Sequence, residues 1–197
     1  MANFVTSDLH LGHRNVIQYC PESRGHFNSV DEMNETIVTN INSMVSDNDT
    51  LYILGDIAFM APGKACDYLK RINGEKVIVW GNHDRKLRAS SEFASQKGLM
   101  GIKFDADYVS RHFEVDGSKS GVVMMHFPIY SFEGQLNGGA HVHGHCHSVR
   151  ARRNTFGDKR RVQDIGMDTN FMMPYNLEDV IREMRTRELD SSDYHAK

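Results

Sequence analysis

Hydrophobic and polar positions along the chain fall into two rhythms. Residues 29–45 place Val30, Met33, Ile37, Val38, Ile41, Met44 and Val45 at helical spacing. Ser29, followed three residues later by Glu32, has the form of a capping box at the start of that helix. Asp47, Asn48 and Asp49 close it with a turn. Short apolar runs at residues 2–7, 50–54 (TLYIL) and 76–80 (KVIVW) read as buried strands, and a helix is expected around 62–72, broken near Asn73-Gly74. Beyond residue 100 the strand candidates crowd together, at 101–104, 107–115, 121–126, 140–144 and 161–167, with Asp116-Gly117 as a hairpin turn. Residues 176–186 read as a closing helix, capped by Asn176 and striped by Leu177, Val180, Ile181 and Met184. Alternating strand and helix followed by clustered strands is the pattern of a layered α/β fold.

The length of 197 residues suits one domain, taken as residues 1–187, with residues 188–197 as a polar tail. A formal net charge of −3 argues against a general electrostatic nucleic-acid binder while leaving room for a local basic patch. No apolar run approaches the roughly 20 residues of a membrane helix. The start, MANFVTSDLHLGH, lacks the charged-then-apolar order of a secretory signal, so a cytoplasmic protein is expected. Cys20, Cys66 and Cys146 are odd in number and widely spaced, which suggests neither a disulfide framework nor a zinc ribbon.

The chemistry gathers just past the strands. Residues 140–147 read AHVHGHCH, with His141, His143, His145 and His147 on alternate positions. Alternate residues of a strand lie about 6.5–7 Å apart, against a Zn–N bond of about 2.0–2.1 Å. Four such imidazoles cannot share an ion; neighbours can serve one ion, or a close pair, if the chain bends at Gly144. Asp8 and His10 follow the first strand, Asp56 follows TLYIL, Asn82, His83 and Asp84 follow KVIVW, and His126 follows GVVMM. Singly, each serves equally well as a cap or turn residue. Together they match the rule that sites in α/β sheets form at carboxyl ends of strands. Carboxylate, imidazole and amide oxygen suit Mn²⁺, Zn²⁺, Fe or a mixed pair. There are more such groups than one ion can use, whereas two ions about 3.5–4 Å apart, bridged by one carboxylate, would use them all.

These residues resemble the calcineurin-like metallophosphoesterases. The family pattern is D-x-H, G-D, G-N-H-D/E, a lone His and G-H-x-H. The chain has Asp8-Leu9-His10, Gly55-Asp56, Gly81-Asn82-His83-Asp84, His126 and Gly144-His145-Cys146-His147, in that order. The resemblance implies a four-layer α/β/β/α sandwich. It implies that Asp8, His10 and His147 hold one metal, that Asn82, His126 and His145 hold a second, and that Asp56 bridges them. It places His83 over the substrate phosphorus, as stabiliser of the charged oxygens or proton donor to the leaving group, while a metal-activated hydroxide attacks. Mn²⁺ is the first choice of ion, with Fe, Zn²⁺, Ni²⁺ and Mg²⁺ as others that such ligands accept. The chain departs from the serine/threonine phosphatase branch, whose second block is G-D-x-V-D-R-G. Here it reads Gly55-Asp56-Ile57-Ala58-Phe59-Met60, which argues against protein phosphatase activity. Asp84 is the candidate to orient His83, and Cys146 is expected to pack away from the ions.

Other residues have two readings. His13 either faces the site and binds substrate phosphate or is a loop residue bonded to backbone. His143 is a candidate orienting partner, and His141 reads as an exposed or core residue. The run Arg150, Arg152, Arg153, Lys159, Arg160 and Arg161 either draws in a polyanion or forms a solvated hairpin. Phe27, Tyr130 and Phe132 line a base pocket or belong to the core, with core favoured for Phe27. The sequence thus reads as a phosphohydrolase, with a phosphodiester of a nucleotide, cyclic nucleotide or nucleic-acid end as expected substrate, because no cap domain encloses a small one. The alternatives are a phosphomonoesterase and a non-catalytic metal-binding scaffold; intact His83 and ligands weigh against the latter. A metallo-β-lactamase-type H-x-H-x-D-H run is absent, since His141-Val142-His143-Gly144-His145-Cys146 lacks the Asp.

Overall fold

The computed structural model of the chain describes residues 1–157 and 160–187; Lys159 of the basic run and the tail expected at 188–197 lie outside them. In chain order the elements are β1 (Asn3–Thr6), α1 (Val16–Tyr19), α2 (Pro21–Arg24), α3 (Val30–Met44), β2 (Thr50–Ile53), α4 (Pro62–Arg71), β3 (Glu75–Val79), α5 (Arg85–Arg88), α6 (Ser91–Gln96), β4 (Ile102–Ala106), β5 (Val109–Val115), β6 (Ser118–Met124), β7 (Ala140–His143), β8 (Val162–Asp164), β9 (Tyr175–Asn176) and α7 (Leu177–Arg185). They form two sheets flanked by helices, the mixed α/β architecture of the metallophosphoesterase type. The first sheet runs β4-β3-β2-β1-β9 and the second β5-β6-β7-β8.

Side-chain alternation explains the layering. Along β1 and β2, Phe4, Leu51 and Ile53 face a core shared with α3 and α4, through Met33, Ile37, Ile41, Ala65 and Leu69. Val5, Tyr52 and Leu54 face the opposite way, into a second core with Val122, Met124 and Val142 of the other sheet and Leu177, Val180, Ile181 and Met184. Buried on both faces, these parallel strands carry the continuous apolar runs that the sequence displays.

The helix starts follow the sequence with one shift. Ser29 Oγ accepts from the Glu32 amide at 3.0 Å, but the Glu32 carboxylate reaches back to the Asn28 amide at 2.8 Å, one residue before the expected partner. Asn176 caps α7 by accepting from the Glu178 amide at 2.9 Å. Asp116 and Gly117 have φ of 53° and 72° and join β5 to β6 as a two-residue hairpin loop. The run expected as a strand over 161–167 pairs with β7 as far as Asp164 and bridges to Ser7 at Gly166; beyond it the chain tightens into a 3-10 turn, Met167–Thr169. Strand β9, antiparallel to β1, and the one-turn helices α1, α2 and α5 were not legible, being shorter than any periodicity can register. No helix among the described residues is long and apolar enough to cross a membrane.

Candidate metal centre

Strands β1, β2, β3, β6 and β7 deliver their following residues to one edge of the two sheets. The backbone turns sharply there. Asp8, His10, Asp56, His145 and His147 all have positive φ, between 46° and 69°. Asp and His tolerate this region better than most residues, but such clustering marks places where the surrounding structure imposes geometry. Five of the seven expected ligands are in this state. Glycine neighbours make the crowding feasible. A Cβ on Gly144 would land on Ser7 Oγ and Asp8 Oδ2, and one on Gly81 would land on Asp56 Oδ1 and the Asp56 amide.

Three imidazoles aim Nε2 at the same two carboxylates. His10 Nε2 lies 3.8 Å from Asp8 Oδ1 and 3.6 Å from Asp56 Oδ2. His126 Nε2 lies 3.5 Å from Asp56 Oδ1 and 3.0 Å from Asn82 Oδ1. His147 Nε2 lies 3.9 Å from Asp8 Oδ1. Each ring is fixed through its other nitrogen: His126 Nδ1 donates to the Leu54 carbonyl at 2.8 Å, His147 Nδ1 meets Asp168 Oδ2 at 2.8 Å, and His10 Nδ1 meets His13 Nδ1 at 3.0 Å. That outer bond is what leaves Nε2 as the ligand nitrogen in metal sites. Donor atoms of Asp8, His10 and His147, and again of Asp8, Asp56 and His126, lie within 4.8 Å of one another. His145 turns its ring against His126, centroids 5.2 Å apart, while its amide donates to Asp8 Oδ2 at 3.0 Å.

The electrostatics call for cations. Burial holds the Asp8 carboxyl well above the usual range; the His147 charge opposes this and Asp164, Asp56 and Asp168 add to it. Burial also pushes His10 and His126 down, towards the neutral form that binds metal. His10 Nε2 is buried without a hydrogen-bond partner, an orphan of the kind native structures rarely leave unexplained. On these grounds the residues fit divalent ions. His147 is the exception: burial opposes its charge, but the bonds to Asp168 and Cys20 and the nearby Asp8 lift it to about 11. A cation at Nε2 would take the place of that proton.

His83 is half exposed, with its amide on Asp56 Oδ1 at 3.1 Å and its Nε2 4.0 Å from Asp56 Oδ2. Asp84 is not its ring partner. The Asp84 carboxylate accepts from the Asp56, Ile57 and Gly81 amides at 2.9, 2.8 and 2.9 Å, pinning the β2 and β3 loops together. Burial raises its pKa to about 6 despite those bonds. His13 stacks on Phe59, centroids 3.9 Å apart and planes within 10°. The Phe59 ring also touches His10 and His83, so an aromatic wall that was not anticipated runs along this side. An open cleft of about 630 Å³ adjoins it, lined by Phe59, Met60, Pro62, Asn82, His83 and Arg85.

The row of four His splits at Gly144. His141 and His143 stay in β7, fully buried. His141 Nδ1 donates to the Val123 carbonyl at 3.1 Å and its Nε2 accepts from the Ile129 amide at 3.2 Å; His143 bonds the Gly144 carbonyl at 2.7 Å and Thr155 Oγ1 at 2.8 Å. Cys146 is exposed between His145 and His147. The described residues of the basic run do not form a hairpin: Arg150–Arg152 form a 3-10 turn, Arg153 pairs with Glu183 at 2.8 Å, Arg161 bonds the Gly138 carbonyl at 2.7 Å, and Arg160 lies over the Tyr130 ring at 3.9 Å. Tyr130 is exposed and Phe27 is core.

Two residues behind the site were missed. Arg24 is wholly buried, and Asp168, 5% exposed, lies beside it. Asp168 repeats the signal that flagged the others, an acid just past an apolar strand. Arg24 gave none, because an Arg in a one-turn helix reads as surface.

Comparison with known proteins finds relatives along most of the chain. Uncharacterized protein MJ1445 of Methanocaldococcus jannaschii is 30% identical over 182 residues, spanning 91% of this chain and 89% of its own length. The Gene 66 protein of Mycobacterium phage L5 is 27% identical over 161 residues, 73% of this chain and 76% of that protein. The crystal structure of AQ665 from Aquifex aeolicus, a protein of unknown function, superposes with a TM-score of 0.63 at 21% identity, over 92% of this chain and 98% of the other, a likeness of fold. The sequence profile of the calcineurin-like phosphoesterases matches residues 4–160, which hold all seven ligand candidates, and the chain belongs to that family.

Proposed function

We propose that the chain is a dinuclear metallophosphohydrolase that cleaves a phosphodiester. The observation that carries this reading is the convergence of three Nε2 atoms on the carboxylates of Asp8 and Asp56, at 3.5–3.9 Å, with each outer nitrogen already engaged. Asp8, His10 and His147 would hold one ion, Asn82, His126 and His145 the other, and Asp56, whose two oxygens face His126 and His10 separately, would touch both. When bound, the ions supply a hydroxide nucleophile at neutral pH and neutralise charge on phosphorus. His83, held at the mouth by its amide bond to Asp56, presents its ring to a substrate oxygen as donor. His13 accepts at Nδ1 when His10 Nδ1 carries the proton, which leaves its Nε2–H to meet a phosphate oxygen. The cleft beside His83 and Asn82 is open enough for both arms of a diester, which favours a nucleotide, cyclic nucleotide or nucleic-acid end. Mn²⁺ is the expected ion and the cytoplasm the expected compartment.

The test is hydrolysis of a chromogenic phosphodiester and the matching monoester with added Mn²⁺. Faster cleavage of the diester, with a loss of about 10²-fold or more in kcat for His83→Ala, is expected for a positioned proton donor. Equal rates for parent and His83→Ala would contradict the assignment. Preference for the monoester would favour the phosphomonoesterase reading.

A further inference from the structure

A single guanidinium lies beneath one half of the candidate centre. Arg24 is completely buried, and apart from a contact of Nη1 with Met33 Sδ at 3.6 Å its polar atoms serve one cluster. Its Nε and Nη2 donate to the two oxygens of Asp168 at 2.8 and 2.9 Å. Nη2 also donates to the Asp8 carbonyl at 2.6 Å, and Nη1 to the Leu9 carbonyl at 3.3 Å. Asp168 Oδ2 in turn meets His147 Nδ1 at 2.8 Å, and Ser23 Oγ donates to Oδ1 at 2.5 Å. One side chain therefore grips the Asp8-Leu9-His10 turn through its carbonyls and the His147 ring through Asp168. The side chains of the other ligand group are held elsewhere: His126 by the Leu54 carbonyl, and Asn82 by its contact with His126.

We propose that Arg24 and Asp168 are positioning residues for one of the two metal sites, the one formed by Asp8, His10 and His147; this rests on the metal-centre reading above. Asp168 fixes His147 as the tautomer with its proton on Nδ1 and its lone pair on Nε2, turned inward. Arg24 supplies the charge that keeps Asp168 an acceptor and holds the Asp8 turn in register with it. Stability alone does not account for the pair, because buried ion pairs are often replaceable by apolar residues of similar volume without loss. A site that needs three ligands aligned on one cation does account for it.

The experiment is equilibrium dialysis of the full chain against Mn²⁺ with elemental analysis, for the parent and for Arg24→Met combined with Asp168→Leu. The double substitution removes both buried charges, so neither is left uncompensated. It is expected to weaken one site by about 10–100-fold and leave the other at parent affinity, so that the variant holds one ion where the parent holds two. Asp168→Glu should restore part of the loss. Two ions at parent affinity in a folded double variant would overturn the proposal. A second measurement needs no variant: long-range ¹H–¹⁵N correlation on the parent loaded with diamagnetic Zn²⁺ should find the His147 proton on Nδ1, with Nε2 shifted by the metal, and a proton on Nε2 in the loaded protein would overturn the proposal. If the parent binds no Mn²⁺ at all, the metal-centre reading itself fails, and this inference with it.

Discussion

At the scale of single residues, the two aspartates that end the β2 and β3 runs have opposite duties. Asp56 turns both oxygens towards imidazoles, while Asp84 spends its oxygens on backbone amides. Asp56→Asn is expected to abolish turnover more completely than His13→Ala, because the first removes a charge both ions would share and the second only a donor at the rim. Comparable losses in kcat would mean that the bridge is misplaced. Asp84→Ala strips three amides of their acceptor, and bonds to a charged group contribute about 1.5–3 kcal/mol each when made. A destabilisation of about 4 kcal/mol or more in urea unfolding is expected, with loss of activity following from displaced loops; an unchanged midpoint would show that the amides find water instead. The residue types at strand ends were legible in the sequence because metal ligation needs particular donors. The role of Asp84 was not, because an acid that caps loops and an acid that orients a His look alike in one dimension.

At the scale of elements, β7 shows how one alternating row serves two purposes. Within the strand His141 and His143 are buried and hydrogen-bonded; past Gly144 the chain adopts positive φ at His145 and His147, which sets the His147 ring against Asp8 and the His145 ring against His126. The possible bend at Gly144 was readable, and the family resemblance already named His145 and His147 as the ligands beyond it; the close approach of Gly144 to Ser7 and Asp8 was not readable, because those residues are distant in sequence. Gly144→Ala would drive a methyl into both, so it is expected to weaken Mn²⁺ binding together with stability; full retention of both would contradict the crowding. Burial, helped by His143 and opposed by backbone bonds, lowers the His141 pKa from 6.5 to about 4. Between those values the unfolded chain takes up a proton that the folded one refuses. The contribution is full above pH 6.5 and is lost as pH falls towards 4, on the order of 3 kcal/mol in all. In the metal-free protein the gap in unfolding midpoint between parent and His141→Gln should therefore narrow from pH 7 to pH 4.5. A constant gap would mean that His141 is already charged in the fold. Short elements such as β9 and α2 were invisible to pattern reading, and α2 carries Arg24, so the support behind the site was hidden with it.

At the scale of the molecule, two apolar cores hold the first sheet rigid while its strand ends carry the acids and imidazoles. The layered architecture was legible because both faces of β1, β2 and β3 are buried and so write continuous apolar runs into the sequence. A centre that buries the carboxylates of Asp8, Asp56, Asp164 and Asp168 with only Arg24 and His147 as nearby positive charge should leave the metal-free fold weaker than the loaded one. Ions present at about 1,000 times their Kd add about 4 kcal/mol per site to stability by mass action, so chelation should lower the melting temperature and Mn²⁺ should restore it. An identical melting temperature in both states would mean that no ion binds the folded form. The most direct test of the whole account is anomalous diffraction from crystals grown with excess Mn²⁺. Two peaks about 3.5–4 Å apart, one among Asp8, His10 and His147 and one among Asn82, His126 and His145, with Asp56 between, are the predicted result; an empty pocket, or a single ion that leaves one of those groups unused, would contradict it.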